Sequence, residues 1–118
     1  MIALLVLIGG AFGAVLRYLL DAEVKQRFGK AFPWGTLTVN LLGAGALGAL
    51  HGTGAGTEWE ALIGTGVCGA LTTFSTFELE TVHLFQDGAY GKAALNVLVS
   101  LGLGLAVFAL LYALFRAV

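Results

Sequence analysis

Charged residues are scarce in this sequence, which excludes most classes of soluble protein. Only 11% of the 118 residues are charged, whereas soluble domains average about 25%. Six basic and seven acidic residues give a net charge of −1, so no basic surface for a nucleic acid is predicted. The single cysteine, Cys68, excludes a disulfide within the chain.

Apolar residues, by contrast, make up 58% of the chain and are gathered in long runs. A helix needs about 20 mostly apolar residues to cross the hydrocarbon core of a bilayer. The pattern therefore predicts one all-α membrane domain over 1–118 that crosses the membrane four times. The predicted spans are 2–20, 33–51, 58–87 and 90–115, and a polar loop with Lys25, Arg27 and Lys30 is predicted over 21–32. The first run has no basic segment before it and is longer than the apolar part of a signal peptide, so we interpret it as a span.

The third span is predicted to be broken inside the bilayer. Residues 58–70 are apolar, but as a helix they cover only about 20 Å of a hydrocarbon core about 30 Å thick. The segment 71–76 (LTTFST) is a poor helix interior, and a second helical piece is predicted over 77–87. Non-helical backbone at this depth is tolerated where it is buried in protein or lines a wet cavity. The break is therefore a candidate ion site.

Two interpretations of the segment after the break stay open. Ser75 and Glu78 have the spacing of a capping box, and Phe74 and Leu79 have that of a hydrophobic staple, so the segment can simply restart a helix. Phe74 and Phe77 are also three residues apart, which lets both rings face one side. Because the edge of an aromatic ring is electropositive, the two rings could contact an anion where water is scarce.

Polar side chains inside the other spans are candidates for a path through the membrane. Asn40 needs partners in lipid, either as a hydrogen bond between helices or along a polar path. Asn96 and Ser100 are four residues apart and share one helix face. Arg17 either extends to the interface and pairs with Asp21, or forms an electropositive vestibule that concentrates anions.

The sequence contains no recognisable signature of an enzyme. No nucleophile with a plausible base, no cluster of His and Cys ligands and no phosphate-binding loop that leads into a helix is present, so the chain is predicted not to be an enzyme. Glu78, Glu80 and His83 could suggest a metal site or a proton relay. We interpret them instead as a helix cap and the wetter end of a helix.

Three segments resemble one family of membrane proteins. GGAFGAVLRY (9–18), WGTLTVNLLGA (34–44) and GVCGALTTFSTFELE (66–80) are similar to the Fluc fluoride channels, also called CrcB proteins. The run GALTTFSTFE is the most specific of these matches. Length and span count agree as well, so the resemblance covers essentially the whole chain.

The resemblance implies a dual-topology homodimer of antiparallel subunits, with two fluoride pores. It implies a fluoride path along Arg17, Asn40, Phe74, Ser75, Thr76, Phe77, Asn96 and Ser100. It also implies a structural sodium ion at the dimer centre, held by the backbone carbonyls of Gly69 and Thr72. Gly104 stands one turn after Ser100, where some relatives carry a serine, and this departs from the family's polar track.

The function implied is a passive, fluoride-selective channel in the cell membrane, which exports cytoplasmic fluoride down its gradient and lowers fluoride toxicity. Its expected partners are fluoride, a second copy of the chain and membrane lipid. One alternative is a proton-coupled small multidrug exporter, a class that relies on a membrane-embedded glutamate in its first helix. The first span here has no acidic residue before Asp21. The other alternative, a non-transporting membrane subunit, leaves the broken span and the polar stripes unexplained.

The distribution of basic residues favours one orientation in the membrane. The membrane face of the N-terminus is predicted to carry one basic residue, Arg116, and the opposite face carries Lys25, Arg27, Lys30 and Lys92. Dual insertion expects a near balance, so this bias is a point on which the sequence and the family expectation differ.

Overall fold

The computed structural model describes residues 1–29 and 31–117, with the side chain of Ser75 excepted. The described residues form five helices and no strand: α1 (Ile2–Phe28), α2 (Trp34–Thr53), α3, α4 (Ser75–Gln86) and α5 (Tyr90–Ala117). Helix α3 is continuous but mixed, with α-helical Thr57–Trp59, π-helical Glu60–Cys68 and α-helical Gly69–Leu71. The chain is therefore all-α, as its composition predicts.

Helix α1 is longer than the predicted span. Its 27 residues would extend about 40 Å, which is the thickness of a bilayer with its headgroups. The loop prediction over 21–32 is therefore wrong as far as Phe28. Lys25 pairs with Asp21 at 3.0 Å and Arg27 with Glu23 at 2.7 Å, and such pairs four residues apart stabilise an exposed helical turn. The Lys30 of that loop lies outside the described residues.

Three helical stretches in the described ranges are long and apolar enough to cross a membrane. They are Ile2–Phe28, Thr57–Gln86 taken across its interruption, and Tyr90–Ala117. These stretches make the chain a multi-pass membrane protein. Helix α2 has 20 residues but carries Thr36, Thr38, Asn40 and His51, and it packs along α1 and α5. The fourth crossing stays a prediction.

Helices α1 and α3 approach each other closely because α1 has glycines on the shared face. A Cβ atom at Gly9 would overlap the carbonyl oxygen of Leu62, and one at Gly13 would overlap that of Val67. Gly9 and Gly13 are both buried. Their spacing of four residues lets the two backbones touch, as in other membrane helix pairs. The resulting contact fixes α3 beside α1 up to the point where α3 ends.

The third helical segment is interrupted between Leu71 and Ser75. Thr72 has an extended backbone (φ −80°, ψ 156°), and the next helix, α4, begins at Ser75 with Phe74 at its N-cap position. The interruption lies inside the range 71–76 where the sequence predicts a break. Helix α4 then packs against α5, which itself runs along α2. The break therefore lies beside other helices of the same chain but is not fully buried by them.

Candidate functional site

The side chain of Asn40 binds the backbone of the break. Its Oδ1 accepts a hydrogen bond from the N–H of Thr73 at 2.9 Å, and its Nδ2 donates to the carbonyl of Thr73 at 3.3 Å. A half-buried amide among apolar helices needs such partners. The sequence left two roles open for Asn40: a hydrogen bond between helices or a place along a polar path. The structure shows the first role, because Asn40 binds the backbone of the break. This bond does not exclude the other role, because Asn40 also lines a cavity.

The hydrogen bonds at the break leave several backbone carbonyls without their helical donors, and those of Gly69 and Thr72 are among them. In a continuous α-helix the N–H of Thr73 would bind the carbonyl of Gly69, and the N–H of Thr76 would bind that of Thr72. Here Thr73 donates to Asn40, and Thr76 donates to the hydroxyl of Thr73 at 3.2 Å. Carbonyl oxygens freed in this way are good ligands for a hard cation. The predicted sodium ligands Gly69 and Thr72 are therefore two of the residues with such a carbonyl.

The start of α4 differs from the predicted capping box. Helix α4 begins one residue earlier than the capping box requires, with Phe74 rather than Ser75 at the N-cap, and the hydroxyl that accepts from its first turn is that of Thr73. The prediction of a cap formed by Ser75 and Glu78 is therefore wrong. The hydroxyl of Thr73 instead accepts a hydrogen bond from a free N–H in the first turn of α4, that of Thr76.

The two phenylalanines of this segment face one side. The ring centroids of Phe74 and Phe77 are 5.9 Å apart, and the planes are tilted by 36°. This confirms the geometry expected from their spacing. The Phe74 side chain is exposed, and that of Phe77 is half-buried.

Four residues of the predicted fluoride path and the predicted sodium ligand Thr72 meet in one cavity, which we call the break cavity. It has a volume of about 240 Å³ and is lined by Asn40, Thr72, Thr73, Phe74, Phe77, Ser100 and Leu101. This volume holds several water molecules, each of which occupies about 30 Å³ in the liquid. Aromatic rings, hydroxyls and an amide therefore share one small space at the end of a helix break.

A chain of hydrogen bonds connects α5 to α4 beside this cavity. The hydroxyl of Ser100 donates to Asn96 Oδ1 at 3.4 Å, and Asn96 Nδ2 donates to the hydroxyl of Thr81 at 2.8 Å. That hydroxyl donates in turn to the carbonyl of Phe77 at 2.8 Å. Asn96 is only 2% exposed. Asn96 thus lies behind the cavity wall and supports it, whereas Ser100 lies in the wall.

A second cavity, which we call the arginine cavity, adjoins the first. It is lined by Ala14, Arg17, Tyr18, Asp21, Thr36, Val39, Thr73 and Thr76. The predicted pairing of Arg17 with Asp21 is wrong, because Asp21 pairs with Lys25 instead. Within the described residues no carboxylate lies at salt-bridge distance from Arg17. The arginine cavity therefore holds a positive charge without a carboxylate partner.

A third cavity lies on the other side of Asn40. It is lined by Asn40, Gly43, Ala44, Leu47, Gly64, Cys68, Gly69 and Thr72. Asn40 thus borders the break cavity and this one, and Thr73 borders the break cavity and the arginine cavity. The pair formed by Asn40 and Thr73 stands where the three cavities come together.

Some residues around these cavities are not singled out by the sequence. Thr36 is buried and donates a hydrogen bond from its hydroxyl to Glu80 on α4. Thr73 and Thr81 hold the break and Asn96 respectively. Threonines are common in membrane helices, so sequence alone gave no reason to choose these three. The one available signal was that the amides of Asn40 and Asn96 need hydrogen-bond partners, which Thr73 and Thr81 provide.

The fold and these cavities define a class: a multi-pass, all-α membrane protein with a polar cavity at a break in one helix. Residues 4–112 match the family model described as CrcB-like protein, Camphor Resistance (CrcB). The chain belongs to the CrcB family.

Curated relatives carry a more specific description. A protein of Shewanella frigidimarina (strain NCIMB 400), 54% identical over 104 residues, is described as "Fluoride-specific ion channel FluC"; the match covers 85% of this chain and 84% of the relative. A protein of Shewanella oneidensis with the same description is 51% identical over the same shares. A protein of Nocardia farcinica (strain IFM 10152), described as "Fluoride-specific ion channel FluC 1", is 53% identical over 96 residues, which are 81% of this chain and 68% of the relative.

Proposed function

We propose that this protein is a passive, fluoride-selective channel of the cell membrane, through which cytoplasmic fluoride leaves down its gradient. The descriptions of relatives that are about half identical over most of the chain support this function. The structural observation that carries it is the meeting of Asn40, Phe74, Phe77 and Ser100 in the break cavity. In cells, export of this anion lowers fluoride toxicity.

Fluoride is strongly hydrated, so a narrow path must replace the hydrogen bonds of the water that it loses. Asn40 uses one of its two amide hydrogens on Thr73, which leaves the other for an anion. The bond from Ser100 to Asn96 is long, at 3.4 Å, so its hydroxyl can turn towards the cavity at little cost. The electropositive edges of Phe74 and Phe77 add contacts that need no donor group.

The arginine cavity supplies the electrostatic attraction in this proposal. A guanidinium without an ion-pair partner beside a partly enclosed cavity raises the local concentration of anions, and the carboxylate of Asp21 in the same wall offsets part of this attraction. Thr73 and Thr76 lie in the walls of this cavity, and Thr73 continues into the break cavity. We also place Arg17, Thr76 and Ser75 on the path; the side chain of Ser75 lies outside the described part of the structure.

A flux measurement tests the proposal directly. The purified protein is reconstituted into liposomes loaded with potassium fluoride or potassium chloride, and anion release is followed with ion-selective electrodes after valinomycin is added. We expect rapid release of fluoride and retention of chloride. Equal release of both anions, or of neither, contradicts the proposed function. Empty liposomes give the background leak.

We further propose that two antiparallel copies form the channel and enclose a structural sodium ion between their helix breaks. The residues fit such an ion, because the carbonyls of Gly69 and Thr72 have lost their helical donors and Gly69 is exposed on the protomer. A two-fold axis beside this surface would bring two such pairs of oxygens together. When bound, the ion supplies a positive charge that holds the two breaks together. The excess of basic residues predicted on one face of the membrane opposes random insertion, so orientation needs its own measurement.

The sodium proposal is tested without a flux assay. The oligomeric state of the purified protein in detergent is measured by light scattering, and its unfolding temperature by intrinsic fluorescence, in sodium or in N-methylglucamine buffers of equal ionic strength. We expect a dimer with a higher unfolding temperature in sodium. A dimer equally stable without sodium contradicts the ion, and a monomer in both buffers contradicts the pairing.

A further inference from the structure

Three charged residues of α1 lie on one face at intervals of four: Arg17, Asp21 and Lys25. Arg17 and Asp21 both line the arginine cavity. Lys25 lines the neighbouring space near Pro33, Gly35 and Glu80. A negative charge therefore stands at the wall of a cavity that we propose to attract an anion, between two positive charges.

The carboxylate of Asp21 is held in place from two directions. Its Oδ2 pairs with Lys25 Nζ at 3.0 Å. Its Oδ1 is buried and has no hydrogen-bond partner among the described residues, and it lies so close to Gly35 that a Cβ atom there would overlap it. Burial of one oxygen against α2 reduces the screening of this charge by water. The field of Asp21 therefore reaches the cavity that Arg17 lines.

We infer that Asp21 lowers the affinity of the arginine cavity for anions and so sets the fluoride concentration at which the channel half-saturates. This inference rests on the proposed function. Conduction requires a site that attracts the ion but releases it, and an ion held too firmly blocks the path. Glu80, whose carboxylate accepts a hydrogen bond from Thr36 in the cavity wall, adds a second negative charge. With Asp21 ionised, the four charges therefore sum to zero; without it they sum to +1, and the anion is held more tightly.

The competing explanation is that Asp21 only stabilises the end of α1. The pair formed by Glu23 and Arg27 offers a matched control, because it has the same spacing on the same helix. Both of its side chains are more exposed than those of Asp21 and Lys25, and neither residue lines the arginine cavity. A purely structural role would make the two pairs equivalent.

The test measures initial fluoride efflux from liposomes against fluoride concentration for the wild type, Asp21→Asn, Lys25→Gln and Glu23→Gln. For Asp21→Asn we expect the half-saturating concentration to fall about three- to tenfold without a rise in the maximal rate. For Lys25→Gln, which breaks the same ion pair but removes a positive charge, we expect it to rise. Glu23→Gln should leave it unchanged. The shift for Asp21→Asn should shrink when an impermeant salt raises the ionic strength from about 0.02 M to about 1 M.

The outcomes separate the inference from the proposed function. A wild type that passes no fluoride overturns both. A conducting wild type for which Asp21→Asn and Lys25→Gln shift the half-saturating concentration in the same direction, or for which Glu23→Gln matches Asp21→Asn, overturns the inference alone. If Asp21→Asn does not fold, Asp21→Ser removes the charge with a smaller side chain. The same fall in the half-saturating fluoride concentration is then expected.

Discussion

The amide group of Asn40 pairs with both backbone groups of Thr73, so a side chain of α2 takes over the hydrogen bonds that a helical turn would have made. The pairing has two consequences. It keeps the third helical segment open between Leu71 and Ser75, and it holds Asn40 with its second amide hydrogen beside the break cavity. Stability and the anion contact that we propose therefore depend on the same side chain.

Substitutions at Asn40 should separate these two roles. Asn40→Leu leaves the N–H and carbonyl of Thr73 without partners, which costs about 1–3 kcal/mol for each group. We expect a lower unfolding temperature and no fluoride flux. Asn40→Asp still accepts from the N–H of Thr73 but adds a negative charge, so we expect a smaller loss of stability and the same loss of flux. Fluoride flux retained in Asn40→Asp would show that this side chain does not contact the anion.

Phe77 should be needed for flux but not for assembly. Phe77→Ile removes the aromatic edge from the break cavity and keeps an apolar side chain of similar bulk, so we expect flux to fall to the level of empty liposomes. Size-exclusion chromatography should show an unchanged oligomeric state. Phe85→Ile is the matched control on the same helix, because Phe85 packs on Tyr90 and lies outside the break cavity. Equal loss of flux in both variants would argue against a specific role for Phe77.

Thr81 should support the cavity wall through Asn96. Thr81→Val keeps the shape of the side chain but removes the hydroxyl that accepts from Asn96 and donates to Phe77, which leaves a buried amide short of a partner. We expect a loss of about 1–3 kcal/mol in stability and a reduced, but not abolished, fluoride flux. The measurements are thermal unfolding in detergent and liposome efflux. Thr65→Val, at an exposed threonine of α3, should change neither.

The contact between α1 and α3 should tolerate no side chain at Gly13. Gly13→Ala places a methyl group against the carbonyl of Val67, and relief of that overlap costs about 1–3 kcal/mol. Gly10→Ala meets no atom within 4 Å and should be neutral or slightly stabilising. Unfolding temperatures of the two variants, measured side by side, check the prediction. A Gly13→Ala protein as stable as Gly10→Ala would contradict the packing described.

Composition and local pattern were enough for the class of fold and for the position of the break. The low charge predicts membrane helices, and a run of 58–70 too short to cross predicts the interruption. The same rules fail for the end of α1, because they count apolar residues. The last part of this helix, up to Phe28, is polar and is stabilised by ion pairs. The π-helical turns over Glu60–Cys68 also escape them, since the π-helix is rare and the pattern rules assume the spacing of an α-helix.

The predictions for the candidate site also succeed for local features and fail for contacts between distant parts of the chain. The common face of Phe74 and Phe77 is local, so their spacing predicts it. The partners of Asn40 and Asn96 are 33 and 15 residues away in the chain, and no local rule selects them. The cap of α4 was misassigned because two hydroxyl-bearing residues, Thr73 and Ser75, stand within reach of the same turn. Only the path of the backbone decides between them.

The origin of the break also bears on how this membrane protein is made. Residues 71–76 contain neither proline nor glycine, so no residue in this segment forbids a continuous helix there. The opening is imposed by a side chain from α2, a separate segment of the chain. We therefore expect a newly inserted third segment to be a more continuous helix until α2 has packed beside it and Asn40 has bound Thr73.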